Sequence, residues 1–274
     1  MPKVSKNLNR SLNTSRPAPD TATPCRDDLA APDSDATALL VAGSPAGIAA
    51  DLLRTLATQA AFVLAVDAGA DQLVAAGIAP DLLIGDLDSV SRETLARLTA
   101  TGVPVQDYDP HKNVTDLELG LEALRSRGYR RVIATNVSGG RTDHMLGSLG
   151  ALAQAAYRND LQVVLYDNHE ACYFIGSRVT PSTLVLDFEA GTAQSNGLAP
   201  LPPPPWALAC PPHHVSLVAW GGLVTVSLEG TEWPLDHYVL SPYSTRGISN
   251  IPRSAVLRLE VHEGRGTALL LASY

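Results

Sequence analysis

The chain has 274 residues, 45% of them hydrophobic and 18% charged, the balance of a globular chain able to bury a core. With 20 basic against 28 acidic residues it carries a net charge of −8, which argues against a general nucleic-acid binder and its basic footprint. No apolar run approaches the ~18 residues of a membrane-spanning helix. The three cysteines, Cys25, Cys172 and Cys210, are too far apart for a disulfide framework or a zinc motif. The expectation is a reduced, soluble, cytoplasmic protein with no membrane or nucleic-acid partner.

Residues 1–35 show no hydrophobic period and are rich in Asn, Ser, Thr, Pro and Asp, so a disordered extension is expected there. The segment opens basic (Lys3, Lys6, Arg10, Arg16), as transit peptides do, but lacks the apolar stretch of a secretory signal. From Thr37 onward short apolar runs predict strands at Thr37–Ala42, Ala61–Val66, Asp81–Ile84, Val103–Asp107, Arg131–Asn136 and Leu161–Tyr166. Helical faces lie between them: Ile48, Leu52, Leu53 and Leu56; then Leu117, Leu121 and Leu124; then Leu146, Leu149 and Leu152. Thr115 followed by Glu118 reads as a capping box that starts the second of these helices. Strands alternating with helices predict an α/β domain over residues 36–177 with a mostly parallel sheet.

After about Arg178 the pattern changes. Thr183–Phe188, Val215–Ala219, Leu223–Leu228, Trp233–Leu240, Ala255–Val261 and Thr267–Ala272 read as short strands parted by Gly, Pro and Asn turns. They predict a smaller all-β domain over residues 178–274, a sandwich or a barrel. Gly191–Pro212, with its run Pro202–Pro205, reads as a stiff surface loop.

Ligands of open α/β sheets bind beyond the carboxyl ends of the strands. Here the second predicted strand ends in Asp67-Ala68-Gly69 and the third in Gly85-Asp86-Leu87-Asp88-Ser89. The fourth leads into Asp107 through Asp116, and the fifth into Ser138-Gly139-Gly140-Arg141-Thr142-Asp143-His144. A lone Asp-x-Asp is more often a turn or cap than a metal site; acids at four strand ends on one edge are a different matter. So many carboxylates repel one another unless a hard cation sits among them, and few-ligand carboxylate sites suit Mg²⁺ shared with substrate phosphates. Lys112 and Arg141 offer cations to phosphate oxygens, or neutralise the neighbouring acids. The Gly139-Gly140 pair can present backbone N–H groups to an anion. There is no G-x-x-x-x-G-K-[ST], no G-x-G-x-x-G after the first strand and no G-x-S-x-G, so a bound nucleotide would be held by another design.

Four segments in this order and spacing resemble the thiamine pyrophosphokinase family: DAGADQL (67–73), PDLLIGDLDS (80–89), KNVTDLELGL (112–121) and SGGRTDHMLGSL (138–149). LEGTEWPL (228–235) and RGISN (246–250) resemble that family's thiamine-binding β domain. The resemblance implies transfer of a pyrophosphoryl group from ATP to the hydroxyl of thiamine, giving thiamine diphosphate and AMP. It implies Mg²⁺ as cofactor, and a homodimer whose thiamine lies between one subunit's α/β domain and the other's β domain. Asp86, Asp88 and Asp116 would hold Mg²⁺ and the triphosphate and, with Asp143 near the thiamine hydroxyl, form the catalytic set. Asp67, Lys112, Thr115, Gly140 and Arg141 would line the ATP side. Trp233 would stack on the cationic thiamine rings, and Ser249 and Asn250 would hydrogen-bond the aminopyrimidine. Without the surrounding match Trp233 would read as a core tryptophan. The chain departs from the family at Asn113, where a second acid is usual, and at Ala68, where a second glycine is usual.

Two other readings stand beside this one. Asp86-Leu87-Asp88-Ser89-Val90 fits the pattern of haloacid-dehalogenase-like phosphatases, with Asp86 as nucleophile, although it follows Gly85 on the third strand instead of ending the first. The loss of an acid at Asn113 motivates a catalytically degenerate sensor that binds thiamine or nucleotide.

Overall fold

The computed structural model describes residues 32–33, 35–158, 161–178, 182–196 and 211–274. The expected N-terminal extension and most of the expected proline-rich loop lie outside these residues. In chain order the elements are β1 (Thr37–Val41), α1 (Ala50–Gln59), β2 (Phe62–Val66), α2 (Gly69–Ala75), β3 (Leu82–Gly85), α3 (Arg92–Ala100) and β4 (Val105–Asp107). Then come α4 (Asp116–Ser126), β5 (Arg131–Thr135), α5 (Thr142–Tyr157), β6 (Gln162–Tyr166), β7 (Glu170–Gly176), β8 (Ser182–Asp187) and β9 (Thr192–Ser195). The chain closes with β10 (His214–Trp220), β11 (Val224–Glu229), β12 (Leu235–Leu240), β13 (Val256–Gly264) and β14 (Thr267–Ser273).

Among the described residues nine strands form one mixed sheet in the order β10-β14-β7-β6-β5-β1-β2-β3-β4. The six from β1 to β6 run parallel, and β7, β14 and β10 continue antiparallel. A second, five-stranded antiparallel sheet has the order β12-β11-β13-β8-β9. The expected class, a mostly parallel α/β sheet followed by an antiparallel β structure, is what the chain adopts. The C-terminal strands divide between the two sheets: β10 and β14 extend the large sheet, with Leu270 of β14 opposite Tyr173 of β7.

Side-chain period explains the layering. The central strands β1, β2 and β5 are buried at every residue, as strands covered on both faces must be. Leu117, Leu121 and Leu124 of α4 and Leu152, Ala153 and Ala156 of α5 cover one face. Leu52, Leu53 and Leu56 of α1, with Leu73 and Leu98, cover the other. Strands β8, β10 and β11 bury alternate residues, the mark of one-sided sheets. Their inward residues, including Leu184, Leu186, Val226, Val215 and Leu217, join Tyr166, Tyr173 and Ile175 in the same core as α1. The two sheets thus pack face to face as a sandwich. Each fully buried Leu contributes about 1.5–3 kcal/mol relative to exposure.

One strand has no counterpart in the sequence-based expectations, and two expectations need correction. Ala171–Ile175, which carried no prediction, is the core of β7, turned back on β6 through Asp167–His169, where Asp167 N–H donates to Glu170 O at 2.9 Å. Thr192–Ser195, expected within an irregular loop, pairs with β8 as β9. Leu146 was expected on the buried face of α5 but is 47% exposed; the buried residues of that helix are Leu152, Ala153 and Ala156, further along it.

A carboxylate cavity at the strand ends and an exposed tryptophan

The sheet order sets the carboxyl ends of β5, β1, β2 and β3 side by side, and a cavity of about 530 Å³ opens there. Strand order reverses at this point: β1 leads outward to β2, while β5 returns to its other side. Such switch points are where open α/β sheets take ligands. Among the lining residues are Asp67, Asp86, Asp88, Thr115, Asp116, Gly139, Arg141 and Asp143, all expected from the strand-end pattern.

Asp67 follows β2 with φ 45°, a left-handed conformation that Asp tolerates better than most residues. Its N–H donates to Ile84 O at 2.9 Å, and its Oδ1 accepts from Leu87 N–H at 3.4 Å. Gly85 makes room for it, since a Cβ at Gly85 would sit 1.6 Å from Asp67 Oδ1. Asp86 follows directly. Asp116 enters from the first turn of α4, whose start is fixed by the expected capping box: Glu118 N–H donates to Thr115 Oγ1 at 3.3 Å and Thr115 N–H to Glu118 Oε2 at 3.1 Å. Carboxylate oxygens of Asp67, Asp86 and Asp116 lie within 4.8 Å of one another.

Lys112 closes the cluster from the loop before α4, 2.9 Å from Asp116 Oδ1 and 3.8 Å from Asp86 Oδ2. Partial burial opposes its charge, but the pairing with Asp116 and Asp86 outweighs this and holds the ammonium pKa above its usual value. One lysine cannot neutralise three acids. Burial, followed by the charges of Asp116 and Asp86, pushes the Asp67 carboxyl from 3.8 up to about 7. A carboxyl driven toward protonation by burial and then by two neighbouring carboxylates belongs to a donor set short of positive charge. Three converging oxygen donors in that condition suit a hard divalent cation.

The grouping differs from the expected one. Asp67 replaces Asp88 in the trio, and Asp88 stays exposed on the rim, its N–H 3.3 Å from Asp86 Oδ1. The reason is Leu87, whose φ of 62° breaks the extended geometry in which residues i and i+2 share a face. Contact with Asp86, first by hydrogen bonding and then by charge, raises the Asp88 pKa. Asn113 is exposed and outside the trio, so its missing charge leaves the three donors intact.

Arg141 and Asp143 pair with each other. Arg141 Nη2 donates to Asp143 Oδ2 at 2.6 Å and Nε to Oδ1 at 3.1 Å, holding the Asp143 carboxyl below the usual range. Gly139 (φ 90°) and Gly140 (φ 71°) turn the chain between them and β5. Cβ atoms there would meet Ala46 Cβ at 2.6 Å and Pro45 Cδ at 2.7 Å. These contacts reveal a wall that strand-end reading missed, namely Ala42, Gly43, Ser44 and Pro45 after β1. Ser44 N–H donates to Asn136 O at 3.1 Å, Asn136 Nδ2 donates to Ala42 O at 2.6 Å, and Ser44 Oγ bonds Ser138 O. Gly43-Ser44-Pro45 was visible as the end of the first strand; reading that end like the other four would have found it.

The β-half residues lie elsewhere. Trp233 sits in the turn before β12 and is 55% exposed, so it is not a core tryptophan. Ser249 is exposed with φ 57°, its N–H bonded to Ser216 Oγ at 3.0 Å. Asn250 is only 4% exposed, and its amide makes four hydrogen bonds inside the protein. That side-chain amide has no donor or acceptor left for the expected bond to a ring.

Replacing Gly85 by Ala is expected to displace the Asp67 carboxylate and weaken divalent-cation binding ~10–100-fold, read by titration calorimetry. Unchanged affinity would show that Asp67 is not a donor.

Comparison with known proteins follows these two halves. The model for the thiamin pyrophosphokinase catalytic domain matches residues 53–165, and that for its vitamin B1 binding domain matches residues 210–264. Thiamine pyrophosphokinase of Bacillus subtilis (strain 168) is 28% identical over 131 residues, 47% of this chain and 61% of that protein. Thiamine pyrophosphokinase 2 of Arabidopsis thaliana is 32% identical over 79 residues, 27% of this chain and 30% of that one. The sequence match therefore spans less than two thirds of either relative's length. The folds align further. The Bacillus subtilis crystal structure superposes with a TM-score of 0.67 at 21% identity, covering 86% of this chain and 98% of that one. Thiamin pyrophosphokinase from Candida albicans gives 0.68 at 12% identity, covering 88% and 90%. The catalytic-domain match falls on the half that gathers the acids, and the B1-binding match on the half that presents Trp233. The chain belongs to the thiamine pyrophosphokinase family.

Proposed function

We propose that the protein transfers a pyrophosphoryl group from ATP to the hydroxyl of thiamine, giving thiamine diphosphate and AMP. The observation that carries this reading is the Asp67–Asp86–Asp116 cluster, short of positive charge, at the switch point of an α/β sheet with the family's catalytic-domain pattern. Phosphoryl-type transfer asks for positioning and charge neutralisation more than covalent chemistry. The three acids would hold Mg²⁺, which supplies Lewis-acid neutralisation of the phosphate oxygens. Lys112 holds Asp86 and Asp116 in place and adds a cation beside the phosphates. Arg141, on the cavity rim, can leave Asp143 for phosphate oxygens, and Asp143 is then free to accept the proton of the thiamine hydroxyl. Asp86 acts here as a cation ligand, not as the nucleophile of a phosphatase.

Incubating the protein with ATP, Mg²⁺ and thiamine and following products by chromatography tests the reading. Equal amounts of AMP and thiamine diphosphate are expected, dependent on thiamine and abolished by chelator. Thiamine binding without products would favour the sensor.

The exposed indole of Trp233 supports a stacking role toward a cationic ring, worth roughly 0.5–2 kcal/mol. Trp233→Ala is expected to raise the KM for thiamine up to ~30-fold by the same estimate, with kcat little changed. The proposed homodimer shares each site between subunits. Mixing and refolding equal amounts of Trp233→Ala and Asp86→Asn chains is then expected to restore about a quarter of wild-type activity at low thiamine, since half the random pairs are mixed and each holds one intact site. No recovery would exclude shared sites.

A further inference from the structure

Trp233 combines two properties that seldom occur together. Its side chain is 55% exposed, yet its backbone is held on both sides by one buried residue. Asn250 Oδ1 accepts from Trp233 N–H at 3.1 Å and from Ile251 N–H at 2.9 Å. Its Nδ2 donates to Trp233 O at 2.7 Å and to Thr231 Oγ1 at 3.1 Å. An amide oxygen has two lone pairs and an amide nitrogen two protons, so the group is saturated. Its backbone is equally committed. Asn250 N–H donates to Val215 O, and Val215 N–H donates to Asn250 O, both at 2.8 Å. Val215 lies in β10, at the edge of the nine-stranded sheet. Asn250 therefore grips the large sheet with its backbone and the turn before β12 with its side chain. Glu232 N–H to Ile251 O at 2.9 Å and Arg253 N–H to Gly230 O at 2.8 Å complete the attachment of that turn.

We infer that Asn250 is a positioning residue: it presents the Trp233 indole in a fixed place relative to the nine-stranded sheet and makes no hydrogen bond to the ligand. The inference rests on the thiamine reading for its binding consequence, but the bracket itself exists without ligand. An aromatic platform held rigid before binding loses less conformational freedom on binding. Truncating the bracket releases two backbone groups of Trp233 together with the Ile251 N–H and the Thr231 hydroxyl, and the cost reaches the ligand only through the indole.

The test incorporates 5-fluorotryptophan into the full chain and follows its ¹⁹F resonances, that of Trp233 being assigned by its loss in Trp233→Phe. In ligand-free Asn250→Ala the Trp233 resonance is expected to narrow and move toward that of free 5-fluorotryptophan, while the Trp220 resonance stays in place. Asn250→Asp keeps the acceptor for Trp233 N–H and Ile251 N–H and is expected to fall between; it serves as the main variant if Asn250→Ala does not fold. Binding is measured in parallel with thiamine and with a thiamine analogue lacking the pyrimidine amino group. About tenfold weaker binding is expected for both ligands in Asn250→Ala, the effect of roughly one lost hydrogen bond's worth of organisation. A loss confined to the amino-bearing ligand would make Asn250 a direct contact and overturn the inference, as would an unmoved Trp233 resonance. Failure of the wild-type protein to bind either ligand would count against the thiamine reading and leave the resonance arm to decide the bracket.

Discussion

Asp86→Asn is expected to lower thiamine-dependent AMP release by about 10²–10³-fold or more, the scale on which removing one preorganised electrostatic contact at a reacting phosphate is felt. Asp88→Asn is expected to cost about tenfold or less, as for a group outside the immediate donor shell. The contrast comes from geometry. Asp86 shares a 4.8 Å cluster with Asp67 and Asp116 and lies 3.8 Å from Lys112, whereas Asp88 is exposed on the rim of the cavity. Asparagine keeps the size of the side chain and one oxygen but removes a negative charge, so the loss should appear as weaker cation binding as well as slower turnover. Steady-state kinetics over a Mg²⁺ titration separates the two effects: raising Mg²⁺ should recover part of the activity of Asp86→Asn. Equal losses at Asp86 and Asp88 would mean that the loop through Leu87 rearranges to bring Asp88 inward.

That contrast also marks where sequence reading stops. Strand ends, acids and the Thr115–Glu118 box are local features, and local features survive in one dimension: a hydroxyl three residues before a carboxylate is enough to start α4. Which acids converge is not local. Asp67 and Asp86 meet because β2 and β3 are neighbours and Gly85 lacks a Cβ, and Asp88 stays on the exposed rim beside Asp86 because Leu87 is left-handed. Neither fact has a signature in residue spacing. Strand β7 went unread because its apolar run Ala171–Ile175 stands where the alternation of strand and helix calls for a helix. The apolar positions of α5 mark a face but not its depth, so Leu146 reads as buried although the covered residues of the helix are Leu152, Ala153 and Ala156. Asn250 shows the same limit in the β half: an Asn after a Ser reads as a turn or a ligand contact, and only the fold reveals that all four of its amide bonds are internal.

The stability of the metal-free protein is expected to fall as pH rises from 6 to 8, and saturating Mg²⁺ is expected to cancel the fall. Asp67 is the cause. Its carboxyl titrates near 7 in the folded protein against an ordinary value of 3.8, so the folded state holds this proton more tightly than the unfolded chain does. A raised carboxyl pKa contributes stability that is complete below the ordinary value and is lost as pH climbs through the folded one. At pH 8 the metal-free protein must keep the Asp67, Asp86 and Asp116 carboxylates together, with Lys112 the one cation paired with them among the described residues. A divalent cation competes with the proton on Asp67, so its stabilising effect should grow with pH, as mass action on the folded state requires. Asp67→Asn removes the titrating group. Without metal this variant is expected to melt higher than wild type at pH 8, by about 2–4 °C for each kcal/mol of repulsion relieved, and to lose its response to Mg²⁺. Calorimetry of both proteins at pH 6 and 8, with Mg²⁺ and with chelator, reads all of these arms. A wild-type melting temperature in chelator that rises between pH 6 and 8 would show that burial and the neighbouring acids do not hold the Asp67 carboxyl above its ordinary range. A variant that gains stability while losing metal binding and activity would show that repulsion among these carboxylates is retained for the function it serves.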